Sequence, residues 1–132
     1  MADMAKVKEV RARTGVGFGD CKKALDEAGD DIEKAIEIIR KQSAVKAAKK
    51  ADRTAAEGLL ALKVADDGKS AAIVEINVET DFAARNERFV EFCGTVVDRV
   101  LGEGEGALDA LEDERNTLVQ TIGENITLRR AT

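Results

Sequence analysis

Histidine is absent from these 132 residues, and so are tryptophan and tyrosine. The lack of histidine removes the most frequent zinc ligand and general base. With four Phe as the whole aromatic content, a core has to be built from Val, Ile, Leu and Ala, which favours small helical layers over a large sandwich. Nothing at the amino terminus resembles a signal peptide, since Asp3 and Glu9 interrupt it, and no run is long enough to span a membrane. The two cysteines, Cys21 and Cys93, are far apart and each lies among apolar residues at helical spacing. They read as small hydrophobes in a reducing cytoplasm, not as a disulfide framework or a metal site.

Charge is plentiful but unevenly spread. The net charge of −5 argues against direct nucleic-acid binding, which relies on surplus Lys and Arg on one surface. Lys46, Lys49, Lys50 and Arg53 form a basic stretch, and Glu103, Glu105, Asp109, Glu112, Asp113 and Glu114 an acidic one. The basic stretch suits either an acidic protein partner or a solvated helix face.

Met4, Val7 and Val10 recur at helical spacing, and that run stops at Thr14-Gly15. The turn Val16-Gly17-Phe18-Gly19 leads into a second helix with Cys21, Ala24, Leu25 and Ala28 on one face, and Gly29 suits a left-handed C-cap. Asp30 is expected to start a third helix, with Glu33 as its capping-box partner and Ile32, Ala35, Ile36 and Ile39 as its stripe. Residues 1–43 therefore read as a three-helix bundle of roughly 40 residues, small enough to be marginal alone. Residues 44–57 read as a linker helix rich in Ala and Lys.

Past Gly58 the period changes from helix to strand. Leu60, Leu62 and Val64 alternate with Ala61 and Lys63, Asp66-Asp67-Gly68-Lys69 supplies a turn, and Ala71 to Val78 follows. This is a β-hairpin signal. One helix is expected from Thr80 or Asp81, burying Phe89, Phe92, Cys93, Val96, Val97 and Val100, followed by a flexible acidic loop at Gly102 to Gly106. A last helix carries Leu108, Leu111, Leu118 and Ile122, and a third strand starts at Ile126. The fold class is thus α+β: a three-helix domain, a linker helix, and residues 58–132 as a small antiparallel sheet with helices on one side.

No enzymatic constellation emerges. There is no Gly-rich phosphate loop with its Lys and no nucleophile elbow. Asp30-Asp31 and Asp66-Asp67 fall where helix capping and turn chemistry already call for them. Two other places stand out. Phe18, flanked by glycines, is either plain core or an exposed anchor on a short fixed turn. In Thr80-Asp81-Phe82, Thr80 or Asp81 is a natural N-cap and Phe82 a first-turn core residue. The apolar stripe begins only at Phe89, however, which leaves Phe82 without an obvious place inside.

Those two places carry a resemblance. Val10 to Leu25 (VRARTGVGFGDCKKAL) and Glu75 to Asn86 (EINVETDFAARN) resemble the two signatures of the elongation factor Ts family. Ala44 to Ala51 and Ile122 to Ile126 are similar to two further family segments, in the same order. The resemblance implies a domain of the ubiquitin-associated type followed by the first half of the family's core. It also implies a guanine-nucleotide exchange factor for elongation factor Tu that has no cofactor, metal or catalytic chemistry of its own. By position it places Arg11, Phe18, Gly19 and Lys50 against the GTPase domain of that partner. Thr80, Asp81 and Phe82 would lie beside the nucleotide site, and Ile126 at a further contact. Phe18-Gly19 replaces a pair of methionines usual in the family, and Ala83 replaces a valine. The family continues into a further half-core, so the chain reads as a truncated form, a monomer, with weakened exchange activity. The alternative is an adapter of the ubiquitin-associated type that binds protein through the Phe18 turn and has no exchange activity. A purely structural domain is a third reading.

Overall fold

The computed structural model describes residues 3–132. The chain is α+β, and its contacts divide the described residues into two compact units, one of residues 3–50 with 113–123 and the other of residues 51–112 with 124–132. Among the described residues no helix is long and apolar enough to cross a membrane.

The first unit begins with α1 (Met4–Thr14). The Asp3 side chain caps it by accepting from the Ala5 amide, and Gly15 ends it at φ 79° with its N–H on the Arg11 carbonyl. Helix α2 (Phe18–Glu27) follows after a turn in which Val16 is wholly buried. Its end differs from the expectation. Asp30 does not start the next helix but joins Gly29 in the left-handed region, both at φ 64°. The Asp30 amide closes α2 on the Leu25 carbonyl at 2.9 Å. The cap passes to Asp31, whose carboxylate accepts from the Lys34 amide at 3.2 Å. Glu33 is drawn away from any capping box by Arg13, 2.7 Å distant.

Helix α3 (Ile32–Lys50) has 19 residues and takes in the first half of the stretch read as a separate linker. No break falls at residue 43: Ser43 and Ala47 extend the buried stripe of Ala35, Ile36 and Ile39. The helical part of that stretch ends at Lys50, and residues 51–56 are turn and extended chain. Val7, Val10, Val16, Cys21, Ala24, Leu25, Ala35, Ile36 and Ile39 make the bundle core.

The expected last helix is two elements, α6 (Ala107–Ala110) and α7 (Glu112–Ile122); α4 and α5 belong to the sheet unit below. They separate at Leu111, which is wholly buried in the second unit, whereas Leu118 and Val119 belong to the first. The break falls close to the point where the chain passes from one unit to the other. Polar side chains bind α7 to the bundle. The buried Ser43 hydroxyl donates to the Gln120 side-chain oxygen, and the Gln120 amide donates to Asp20 at 3.1 Å. The Thr121 hydroxyl lies 3.2 Å from the Gly15 carbonyl.

The second unit is built on an antiparallel sheet of order β1-β2-β3, with β1 (Glu57–Val64), β2 (Ala71–Val78) and β3 (Ile126–Ala131). The hairpin turn closes with the Gly68 amide on the Ala65 carbonyl and Gly68 at φ 71°. Ala72, Val74, Ile76 and Val78 point under the 17-residue helix α5 (Glu87–Glu103), which buries Phe89, Phe92, Cys93, Val96, Val97 and Val100. The apolar row of β1 faces the other way. Leu60, Leu62 and Val64 are exposed, while their neighbours Leu59 and Ala61 pair with Ile76 and Val74 on the helix side. Lys63 at the same face reaches Asp98 on α5, 2.6 Å away. At Gly58 the strands approach so closely that a Cβ would lie 2.1 Å from the Ile76 carbonyl oxygen.

Candidate functional site

Between β2 and α5 the chain makes one helical turn, α4 (Asp81–Ala84). A single helix was expected over this region, but Asn86 interrupts it. The Asn86 carboxamide accepts from the amides of Arg88 and Phe89, at 2.9 and 3.4 Å, and so starts α5 afresh. Asparagine competes well for backbone donors of this kind. The break lets Ala83 and Ala84 face inward, at 6% and 7% exposure, against the sheet and α5.

Phe82 is consequently turned outward and is 84% exposed, the most exposed of the large apolar side chains among the described residues. Asp81 beside it is exposed as well. Thr80 holds the turn: its backbone is extended at φ −124°, and its hydroxyl accepts from the Ala83 amide at 3.2 Å, an N-cap. The core reading of Phe82 is thereby overturned, and the capping reading of Thr80 holds.

The loop before β3 braces this turn, and nothing in the sequence singled it out for that task. Glu124 accepts from both the amide and the hydroxyl of Thr80, at 2.9 and 2.8 Å. The buried Asn125 donates through its side chain to the carbonyls of Arg53 and Ala51, at 2.8 and 3.4 Å. Its backbone amide donates to Glu79, which also pairs with Arg53 at 2.9 Å. Periodicity cannot reveal such bonds, because their partners lie 26 to 74 positions apart in the chain.

Ile126 is a correction. It is fully buried opposite Val78 in the sheet, so its side chain offers no surface to a partner.

In the first unit, Phe18 is the first residue of α2 and is 41% exposed, with Gly17 as a cap that offers no side-chain bond. Gly19 is exposed, and nothing lies within 4 Å of where its Cβ would stand. Arg11 is exposed on α1. Lys50 is half-buried, and its ammonium donates to the Gly123 carbonyl at 2.9 Å, closing the end of α7. A cation on the last carbonyls of a helix is favourable in itself, so this lysine already has a structural task.

Among the described residues no group of His, Cys, Asp and Glu side chains is arranged to hold a metal ion. Both cysteines are free and buried. Burial pushes the Cys93 thiol up to about 12 and raises that of Cys21 as well, a rise that the hydrogen bond with Thr14 offsets in part.

Residues 79–132, which include the Thr80–Phe82 turn and its brace, match the sequence profile described as elongation factor TS. Across 130 residues, 95% of this chain and 46% of the relative, the chain is 54% identical to elongation factor Ts of Hahella chejuensis. It is 54% identical over 129 residues to that of Teredinibacter turnerae and 50% identical over 138 to that of Arthrospira platensis, covering 44% and 56% of those proteins. The chain spans about half the length of the curated relatives it matches. With such identity sustained over nearly all of its residues, the chain belongs to the elongation factor Ts family.

Proposed function

We propose that the chain acts in translation elongation as a guanine-nucleotide exchange factor, docking on the GTPase domain of elongation factor Tu in the cytoplasm and promoting GDP release. The observation that carries this reading is Phe82: a large apolar ring, 84% exposed, on a turn whose cap and brace are both satisfied. A ring exposed on a fixed turn loses little conformational freedom when a partner covers it, which is the property of an interface anchor. Arg11, Phe18 and Gly19 offer a second exposed contact, on the three-helix unit.

Exchange then follows from linkage. A factor that binds the nucleotide-free GTPase more tightly than the GDP form must weaken GDP binding by the same ratio. Each tenfold weakening takes about 1.4 kcal/mol of differential binding. Phe82 would supply it by wedging between elements of the partner beside the nucleotide site. Asp81 would redirect hydrogen bonds there and so disturb the Mg²⁺ and phosphate contacts of the partner. The chain needs only shape and charge for this, with no bond made or broken.

The test is stopped-flow release of a fluorescent GDP analogue from elongation factor Tu on mixing with the chain. Acceleration by the wild type that falls tenfold or more in Phe82→Ala is the expected result. An equal rate for the two proteins removes Phe82 from the mechanism. The adapter reading draws on the partly exposed ring of Phe18. It requires binding that survives Phe82→Ala unchanged and is lost in Phe18→Ala.

A further inference from the structure

The sheet does not simply stop where β2 and β3 part. Their last backbone pair is Val78 with Ile126, and continuing that register would set Glu79 opposite Asn125 and Thr80 opposite Glu124. Both of these further rungs exist, but side chains make them. The Glu79 carboxylate takes the Asn125 amide at 2.8 Å, and the Glu124 carboxylate takes the Thr80 amide at 2.9 Å. Two acidic side chains, one from each strand, thus extend the ladder crosswise past its end.

The second rung does more than the first. Glu124 uses one oxygen for the Thr80 amide and the other for the Thr80 hydroxyl, 2.8 Å away. A hydroxyl has a single proton and two lone pairs. Once that proton is committed to Glu124, the lone pairs face the Ala83 amide, which donates to the same oxygen at 3.2 Å. One carboxylate therefore sets the backbone at Thr80, the rotor of its hydroxyl and the cap of α4. This matters because α4 has four residues, far too few to be helical by themselves. The ring of Phe82 is outside and adds almost no packing of its own.

We propose that Glu124 is the positioning residue of the Thr80–Phe82 turn, ordering it through the Thr80 hydroxyl so that Phe82 is presented in one orientation. The inference rests on the function proposed above for its consequence, but not for its structural content. Because its bonds to Thr80 are exposed to water, losing them loosens the turn and leaves the fold intact.

The experiment compares wild type with Glu124→Gln, in which one of the two oxygens that accept from Thr80 is replaced by an NH2 group, a donor. Backbone ¹⁵N relaxation and amide shifts are followed in the free chain, and stimulated GDP release is measured in parallel. The expected result is an upfield move of the Thr80 amide proton, lower order parameters at residues 80–82 and unchanged ones in β2. GDP release is expected to slow roughly fivefold, the scale of one ordinary water-exposed hydrogen bond. In a Thr80→Val background, Glu124→Gln should change the rate less than in wild type, since the hydroxyl bond is already gone and only the bond to the amide of residue 80 is left to weaken. Unchanged order at residues 80–82 in Glu124→Gln overturns the inference. A loosened turn in a protein whose wild type does not stimulate GDP release upholds it and overturns the proposed function instead.

Discussion

Phe82 and Phe89 stand on consecutive helices, one on each side of the Asn86 cap, and they are opposites: the first is 84% exposed and the second wholly buried. Truncating them should therefore give opposite signatures. Phe89→Ala is expected to lower unfolding free energy by about 3–5 kcal/mol through lost burial and a residual cavity. Phe82→Ala should stay within about 0.5 kcal/mol of wild type. Urea unfolding followed by circular dichroism distinguishes them, and equal midpoints for the two variants would contradict the burial contrast.

Gly58 is the position in β1 least tolerant of a side chain. An added Cβ would lie 2.1 Å from the Ile76 carbonyl oxygen and 2.8 Å from the Asn77 Cα, and φ is 148°. Both obstacles are backbone, so no rotamer change relieves them. Gly58→Ala is expected to cost at least about 2 kcal/mol. Ala61→Gly in the same strand should cost about 1 kcal/mol. Thermal unfolding of the pair checks the order, and a milder loss at Gly58 would refute the close approach.

Acid should weaken the second unit partly through Glu75. The hydrogen bond from Arg130 holds this carboxylate below its ordinary value of 4.5, with Asn77 and Arg129 assisting and desolvation opposing. In the first unit Arg13 does the same for Glu33. A carboxylate lowered on folding contributes stability that is complete above its unfolded value and fades as pH falls through the folded one. The melting temperature should accordingly hold from pH 7 to about 5 and drop below the ordinary value of 4.5. In Glu75→Gln that drop should be shallower, and parallel curves would show that the ion pair contributes nothing measurable.

The thiols offer a probe of opening. Cys93 is pushed up to about 12 by desolvation, and Cys21 is raised for the same leading reason. Thiolate is the reactive form, so the native chain at pH 8 should leave both cysteines unlabelled by an aromatic disulfide over minutes. Both should react in denaturant. Rapid labelling of native Cys93 would show that α5 lifts from the sheet far more readily than its burial allows.

The legibility of this chain was uneven for physical reasons. The end of α1 at Gly15, the buried stripe of α3, the Asp-Gly hairpin and the start of β3 at Ile126 were visible because each depends on a few neighbouring residues. The capping role of Thr80 was visible on the same ground. The breaks at Asn86 and Leu111 were not, since each settles a competition between cores or caps that periodicity averages away. The outward row of Leu60, Leu62 and Val64 reads in sequence like any buried strand face, and only the sheet's contact with α5 assigns the other face to the core. Ile126 was expected to be a contact by resemblance and is interior. Glu124 lies in a segment that resembles the family, but nothing marked it as a brace: its partner is 44 positions away, and an acidic residue in a loop is unremarkable.

The return of α7 to the bundle dictates an order of assembly. Its polar clasp joins Ser43, Asp20 and Gly15 to residues 77, 100 and 106 positions further along, and closing such long stretches is slow compared with docking neighbouring helices. On a translating ribosome the first three helices can pair soon after they emerge. Their clasp has to wait for Gln120 and Thr121, until the whole sheet hairpin and α5 have been made. The three-helix core is therefore among the last parts to be finished, and until Gln120 arrives the Ser43 hydroxyl lacks its partner on α7.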